Sequence, residues 1–223
     1  MIVKLLSHTP NPEEAIIRAA ANCWQSVPHQ GILDHIIKAR HWTPLEFASF
    51  NFEISGVSRV LTHQLVRKRA GVSFAQESQR HVKQDNFDYV IPQSLFENEK
   101  HEDAFLYGYK QVVLQAQQMY NFLTHFGVPK EDARYILPGA CTANIHMSIN
   151  YHALLDLASQ RLCQKAQWEI RELLEKLKAA VTEVSPKLGG YLQPKCHWLG
   201  RCPEKKSCGK IPNKHLGNLN SWR

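Results

Sequence analysis

The chain has 223 residues, 43% of them hydrophobic, which is enough to give one large domain a real core, and no apolar run approaches the length of a membrane span. Its net charge of +7 favours anionic partners, whether nucleic acid, acidic lipid or a phosphorylated small molecule, without choosing among them. The opening MIVKLLSHTP has too short an apolar core for a signal peptide, so a cytoplasmic protein is expected, with Cys23, Cys141 and Cys163 as reduced thiols among apolar neighbours.

Residues 2–6 read as a first strand. Asn11-Pro12-Glu13-Glu14 predicts a helix start, with Asn as the N-cap and Pro at the first helical position; Ile16, Ile17, Ala20 and Trp24 follow at helical spacing. A second helix is predicted over Ile32–Arg40. Thr43-Pro44-Leu45-Glu46 has the pattern of a capping box, which on its own is an ordinary helix N-terminus. Phe50, Phe52 and Ile54 alternate with Asn51 and Glu53, predicting a strand with one buried face. Ser58–Val66 returns to helical spacing and delivers Gln64 and Arg67.

From His63 to His81 the cations Arg67, Lys68, Arg69 and Arg80 are interleaved with Gln64, Ser73, Gln76, Ser78 and Gln79. That mixture suits forked binding of phosphate and of an amide-edged base. A charge run is ordinarily a solvated face. Here Arg67-Lys68-Arg69 ends the apolar segment Val60, Leu61, Leu65, Val66, and the strand or loop that follows brings Arg80 back toward the same place.

Tyr89–Pro92 predicts a short strand and Asn98–Phe126 a long amphipathic helix whose apolar face needs a partner, either core or another subunit. Pro129-Lys130-Glu131-Asp132 begins a further helix that places Arg134 before Tyr135-Ile136-Leu137-Pro138. Thr142–Ile149 reads as a strand, and Asn150 caps a helix on which Leu154, Leu157, Ala158 and Arg161 share one side. Arg161 either snorkels from that stripe or points a guanidinium into a pocket, and the second reading is preferred. After Pro186 the composition changes. Cys196, Cys202 and Cys208 recur with five residues between them, His197 beside the first, in a lysine-rich tail. Such a set can bind tetrahedral zinc, but its gaps are longer than those of paired zinc cysteines, so reduced thiols are preferred and no metal is assigned.

Arg67-Lys68-Arg69, eight residues, then Ser78-Gln79-Arg80 resembles the Arg-His-Arg … Ser-x-Arg signature of the flavin-dependent thymidylate synthases, with Lys68 in place of the His. Three further blocks are similar to that family in the same order: His41-x-Thr43-Pro44-x-Glu46, Ala133-Arg134-x-x-Leu137-Pro138, and Asn150-x-His152 … Arg161 followed by Ala166-Gln167-Trp168-Glu169-Ile170. The resemblance covers most of a catalytic domain set at 1–187, followed by a basic tail at 188–223. It implies an α+β fold, a mixed sheet flanked by helices including one long helix, in homotetramers whose sites lie between chains. It implies reductive methylation of deoxyuridine monophosphate, with methylenetetrahydrofolate as carbon donor and FAD reduced by NADPH as electron source. By position, Gln64, Arg67, Ser78, Gln79, Arg80, Arg134 and Arg161 would hold the nucleotide. His41, Thr43, Glu46, Lys68, Arg69, Asn150, His152 and Lys165 would meet FAD. Arg161, placed at the uracil edge, would be the catalytic side chain.

The residues agree with a cofactor carrying the hard step. No cysteine lies in the cationic stretch, and Cys163 sits opposite the Leu154–Arg161 side at helical spacing. Two other readings compete. A basic nucleic-acid-binding protein would use Arg67–Arg69 and the tail, but its basic residues should line one face instead of lying in separate segments beside apolar stripes. A flavin-binding paralogue without methylation activity is suggested by Lys68 and by His152, which stands where some members have Arg.

Overall fold

The computed structural model describes residues 1–97 and 101–211. Four strands, β1 (Ile2–His8), β2 (Ser49–Ser58), β3 (Val72–Gln76) and β4 (Thr142–Asn150), form one sheet in the order β1-β2-β4-β3. Neighbouring strands run antiparallel throughout: Thr9 N–H donates to Ser49 O at 2.9 Å, Tyr151 N–H to Ala48 O at 2.8 Å, and Asn150 N–H to Gly71 O at 2.9 Å. The sheet is therefore not mixed. An antiparallel order needs no βαβ crossover between neighbours, and the helices instead lie between or after the strands in sequence.

The helices are α1 (Pro12–Trp24), α2 (Gly31–Ala39), α3 (Arg59–Leu65), α4 (Glu102–His125), α5 (Lys130–Ala133), α6 (Tyr151–Arg161), α7 (Trp168–Val184), α8 (Pro186–Tyr191) and α9 (Lys195–Leu199). The chain forms two compact units. The first comprises Met1–Lys4, Phe52–Arg67 and Phe74–Met147; the second comprises Leu5–Asn51, Lys68–Ser73 and the chain from Ser148 on.

In the first unit, β4 alternates cleanly: Ala143, Ile145 and Met147 are buried while Asn144 and His146 are exposed. Ser58 caps α3, its Oγ accepting from Leu61 N–H at 3.0 Å. Phe87, Val113 and Cys141 form a core cluster onto which Tyr89, Tyr109 and Leu137 pack. Tyr89–Pro92 is not a strand; it makes one isolated antiparallel bridge, from Tyr89 to Cys141. Along α4 only Val113 and Tyr120 are buried, whereas Phe105, Val112, Met119 and Phe122 remain exposed. The start predicted for this helix, Asn98, lies outside the described residues.

In the second unit, α1 packs on α2 and on the 3-10 turn Thr43–Phe47, α6 packs on that turn and on α7, and α7 packs on α8. Two predicted caps are built differently. Asn11 stands at the N-cap of α1 in the left-handed region, φ 46°, and its side chain caps nothing. Asn is among the few side chains that tolerate this conformation. Thr43–Phe47 is a single 3-10 turn, so the capping box does not form and Glu46 is left for another partner.

Candidate active site

The substrate-binding candidates other than Arg161 all fall in the first unit, and the flavin candidates together with Arg161 in the second. Helix α3 ends just before Arg67, which makes no ion pair among the described residues, and Gln64 lies half-buried on its last turn. The chain then returns along β3, held to α3 where Gln76 Nε2 donates to Thr62 Oγ1 at 2.9 Å. Beyond β3, Ser78 shapes a turn: its carbonyl accepts from His81 N–H at 3.1 Å and Val82 N–H at 2.9 Å, and its Oγ from Arg80 N–H at 3.3 Å.

Arg80 and Arg134 meet through Glu131. Arg80 Nε donates to Glu131 Oε2 at 3.2 Å, and Arg134 Nε donates to Glu131 O at 3.0 Å. The Arg80–Glu131 pair is about half exposed, so it holds weakly, and Arg134 meets only the backbone carbonyl of Glu131. A third arginine, Arg59, donates from Nη1 to Glu77 O at 3.2 Å. Burial, opposed by Glu77 and reinforced by Arg134, holds its pKa below the ordinary guanidinium value. The Glu77 carboxylate accepts from Gln84 at 3.0 Å and Asn144 at 3.0 Å. Cys141 lies close enough to Arg59 to feel its charge, yet burial pushes its thiol up to about 12.

In the second unit Glu46 finds its partner in His152: Nδ1 and Oε1 are 3.1 Å apart. The His152 ring stacks on Trp42, centroids 5.7 Å apart and planes 11° from parallel. Lys68 donates to Asp156 Oδ2 at 2.8 Å, and Asp156 also accepts from Gln160 at 3.1 Å. Burial raises the Asp156 carboxyl, but the hydrogen bond and charge of Lys68 outweigh it and hold the pKa below the usual carboxylate value. Asn150 caps α6, its Oδ1 accepting from Ala153 N–H at 2.8 Å. Gly71, at φ 71°, lets the chain pass against it: a Cβ there would lie 2.7 Å from the Asn150 amide.

Arg161 ends α6 with its Nε buried and without a partner. A merely snorkelling arginine would leave its donors in water, whereas here the Nε lies out of reach of solvent. The remaining flavin candidates are more scattered. His41 packs edge-on to Trp24 at 5.9 Å, Thr43 is exposed, Arg69 is exposed without an ion pair among the described residues, and Lys165 lines a cavity with four cysteines.

The sequence profile described as thymidylate synthase complementing protein matches residues 4–187. The chain belongs to that family. Among curated proteins it is 36% identical to the flavin-dependent thymidylate synthase of Clostridium tetani over 93% of each chain, and 37% identical to that of Geobacter sulfurreducens over 94% of each. The flavin-dependent thymidylate synthase of Pyrococcus horikoshii is 35% identical over 97% of each chain. The thymidylate synthase complementing protein family is thus the one to which the four sequence blocks pointed. Residues that this resemblance left unnamed contact the candidates directly: Trp42, Glu131 and Asp156. Their partners lie far along the chain, so local pattern alone could not mark them. Among the described residues no helix is long and apolar enough to cross a membrane.

Proposed function

We propose that the chain is a flavin-dependent thymidylate synthase, converting deoxyuridine monophosphate to thymidine monophosphate in the cytoplasm with methylenetetrahydrofolate as carbon donor and FAD reduced by NADPH. The named activity of the relatives supports the reaction. The observation that carries the choice of chemistry is Cys141. It is the one cysteine in the unit that holds Arg67, Ser78, Arg80 and Arg134, and it is fully buried with its thiol near pKa 12. Burial keeps this thiol protonated at neutral pH and out of reach of a substrate, so it is not placed to attack the uracil ring as a thiolate. Activation of the ring then falls to fixed cations and to a redox group.

The second unit fits a flavin on its own chemistry: Trp42 over His152 supplies a flat face with a polar edge. Bound there, the flavin supplies hydride equivalents. Glu46, Asn150 and His152 orient it, with His41, Thr43 and Lys165 completing the contacts. Because Asp156 already neutralises Lys68, Arg69 is the member of the Arg67-Lys68-Arg69 run that meets a diphosphate. Arg67, Arg80 and Arg134 take the nucleotide phosphate in forked hydrogen bonds, with Ser78 beside them, and Gln64 and Gln79 offer amide edges. Arg161 sits at the uracil edge and stabilises negative charge as it develops on the ring. Homotetrameric assembly is supported by the exposed apolar side chains of α4.

Anaerobic formation of thymidine monophosphate with and without NADPH tests the reading, together with the response of the flavin spectrum to deoxyuridine monophosphate. Arg161→Ala should abolish turnover and leave the sedimentation coefficient unchanged; turnover at the wild-type rate removes Arg161 from the mechanism. A yellow protein blind to the nucleotide is a paralogue without methylation activity. A colourless one with strongly salt-dependent DNA binding is a nucleic-acid-binding protein.

A further inference from the structure

Four of the chain's six cysteines, Cys163, Cys196, Cys202 and Cys208, line a single cavity of roughly 530 Å³ in the second unit. Cys163 comes from the loop after α6 and the other three from the last segment, so two stretches separated by the whole of α7 and α8 converge there. His197, which the sequence put beside the first cysteine of the tail, is exposed and packs edge-on to Trp198 instead. The sequence pattern held three thiols and an imidazole. The fold holds four thiols.

We propose that these four cysteines bind one thiophilic divalent cation, of which zinc is the test ion, and that the ion pins the tail to the end of α6. Four thiolates meet the coordination number of a structural zinc site, and sulfur-only donor sets select zinc among common divalent ions. On binding, each thiol gives its proton to solvent and each sulfur forms one bond to the metal. A divalent ion with four thiolates carries a net charge of about −2. The cavity lining supplies the counter-charge: four lysines against two glutamates, a difference of two positive charges.

Local backbone geometry is of the kind that supports metal-bound sulfur. Cys163 Sγ accepts Lys165 N–H at 3.5 Å. Gly209, directly after Cys208, takes φ 91°, a turn closed where Gly209 N–H donates to Ser207 Oγ at 3.1 Å. Among the described residues no group of three His, Cys, Asp or Glu side chains already stands in ligating position. Closure on the ion therefore requires at least two of the four cysteine side chains to turn inward.

The tail also needs such a link. Between residues 193 and 211 only Cys202 is buried, and the one helix there has five residues. So little buried apolar surface does not order a segment of this length, whereas a metal cross-link does.

The test uses the full-length protein, purified with a phosphine reductant, supplied with zinc and then desalted. Elemental analysis should find about one zinc per chain. Cys163→Ser and Cys208→Ser should each lower it at least tenfold, while Cys23→Ser, at an exposed cysteine outside the cavity, leaves it unchanged. Cys208 is exposed, so its replacement does not disturb packing, and flavin content measured on the same samples reports whether the catalytic part is intact. The proposal is overturned if the wild type holds no zinc, if Cys163→Ser or Cys208→Ser holds as much as the wild type, or if the four cysteines are recovered as disulfides without metal.

Discussion

Replacing Gly71 by alanine places a methyl group 2.7 Å from both polar atoms of the Asn150 amide and 2.9 Å from Ala153 Cβ, at a backbone φ of 71°. Three effects combine. A left-handed alanine costs about 1–2 kcal/mol, and overpacking adds about 1–3 kcal/mol. The narrower unfolded ensemble returns about 0.4–1 kcal/mol. The middle of these ranges is a net loss of about 3 kcal/mol, which for a chain of this size lowers Tm by roughly 6–12 °C. Thermal unfolding by circular dichroism reads it directly. The steric part acts on Asn150, which must leave Ala153 N–H if it is displaced, so Gly71→Ala and Asn150→Ala should not add. A double-mutant cycle is expected to show a coupling of about 1–2 kcal/mol, the paired variant being less damaged than the sum. A Gly71→Ala protein melting within about 2 °C of wild type would refute the steric reasoning. Strict additivity would show that Asn150 is not the obstacle.

Glu131→Gln withdraws the carboxylate paired with Arg80 and should tighten deoxyuridine monophosphate binding about two- to fivefold, an amount set by a surface ion pair of under about 1 kcal/mol; calorimetric titration showing weaker binding would contradict it. Asp156 has a depressed pKa, so its pair with Lys68 stabilises the fold above the unfolded carboxyl pKa of about 3.9 and ceases to do so as pH falls through the lower folded value. The gap in Tm between wild type and Asp156→Asn should therefore be constant from about pH 5 to 7 and close toward pH 3; a gap that widens on acidification reverses the sign. Lys68→His, which restores the side chain the family motif carries, should retain or tighten FAD binding in a flavin titration, and a clear loss would place position 68 elsewhere. Cys141, buried with a raised thiol pKa, should resist iodoacetamide at pH 8 in the native protein and react after denaturation; mass spectrometry finding native labelling at that position would undo the case against a thiolate.

What could be read from the sequence was what depends on neighbours along the chain. Phe50, Phe52 and Ile54 mark β2 because a strand covered on one face repeats every two residues. Ser58 and Asn150 mark the starts of α3 and α6 because a cap bonds three residues ahead. Thr43 misled for the complementary reason: a single 3-10 turn gives a capping box little to satisfy, and Glu46 is claimed by His152, 106 residues away. The orientation of the sheet strands was not legible either, since an alternating strand looks alike whichever way its neighbour runs. Among site residues, Arg80 and Lys68 were visible as motif positions, but their counter-charges Glu131 and Asp156 were not. Cys163 joins the cysteines of the tail only once α7 and α8 have brought the chain back.

Tyr151 lies between Asn150 and His152 and is fastened at both ends. Its N–H donates to Ala48 O at 2.8 Å, its phenol donates to Leu188 O at 2.7 Å, and its ring is fully buried. The first turn of α6 thus behaves as a rivet rather than a hinge. Any adjustment made by His152 or Trp42 on meeting a guest is confined to rotation of their own rings, and the amide of Tyr151 should rank among the slowest in the chain to trade its proton for deuterium.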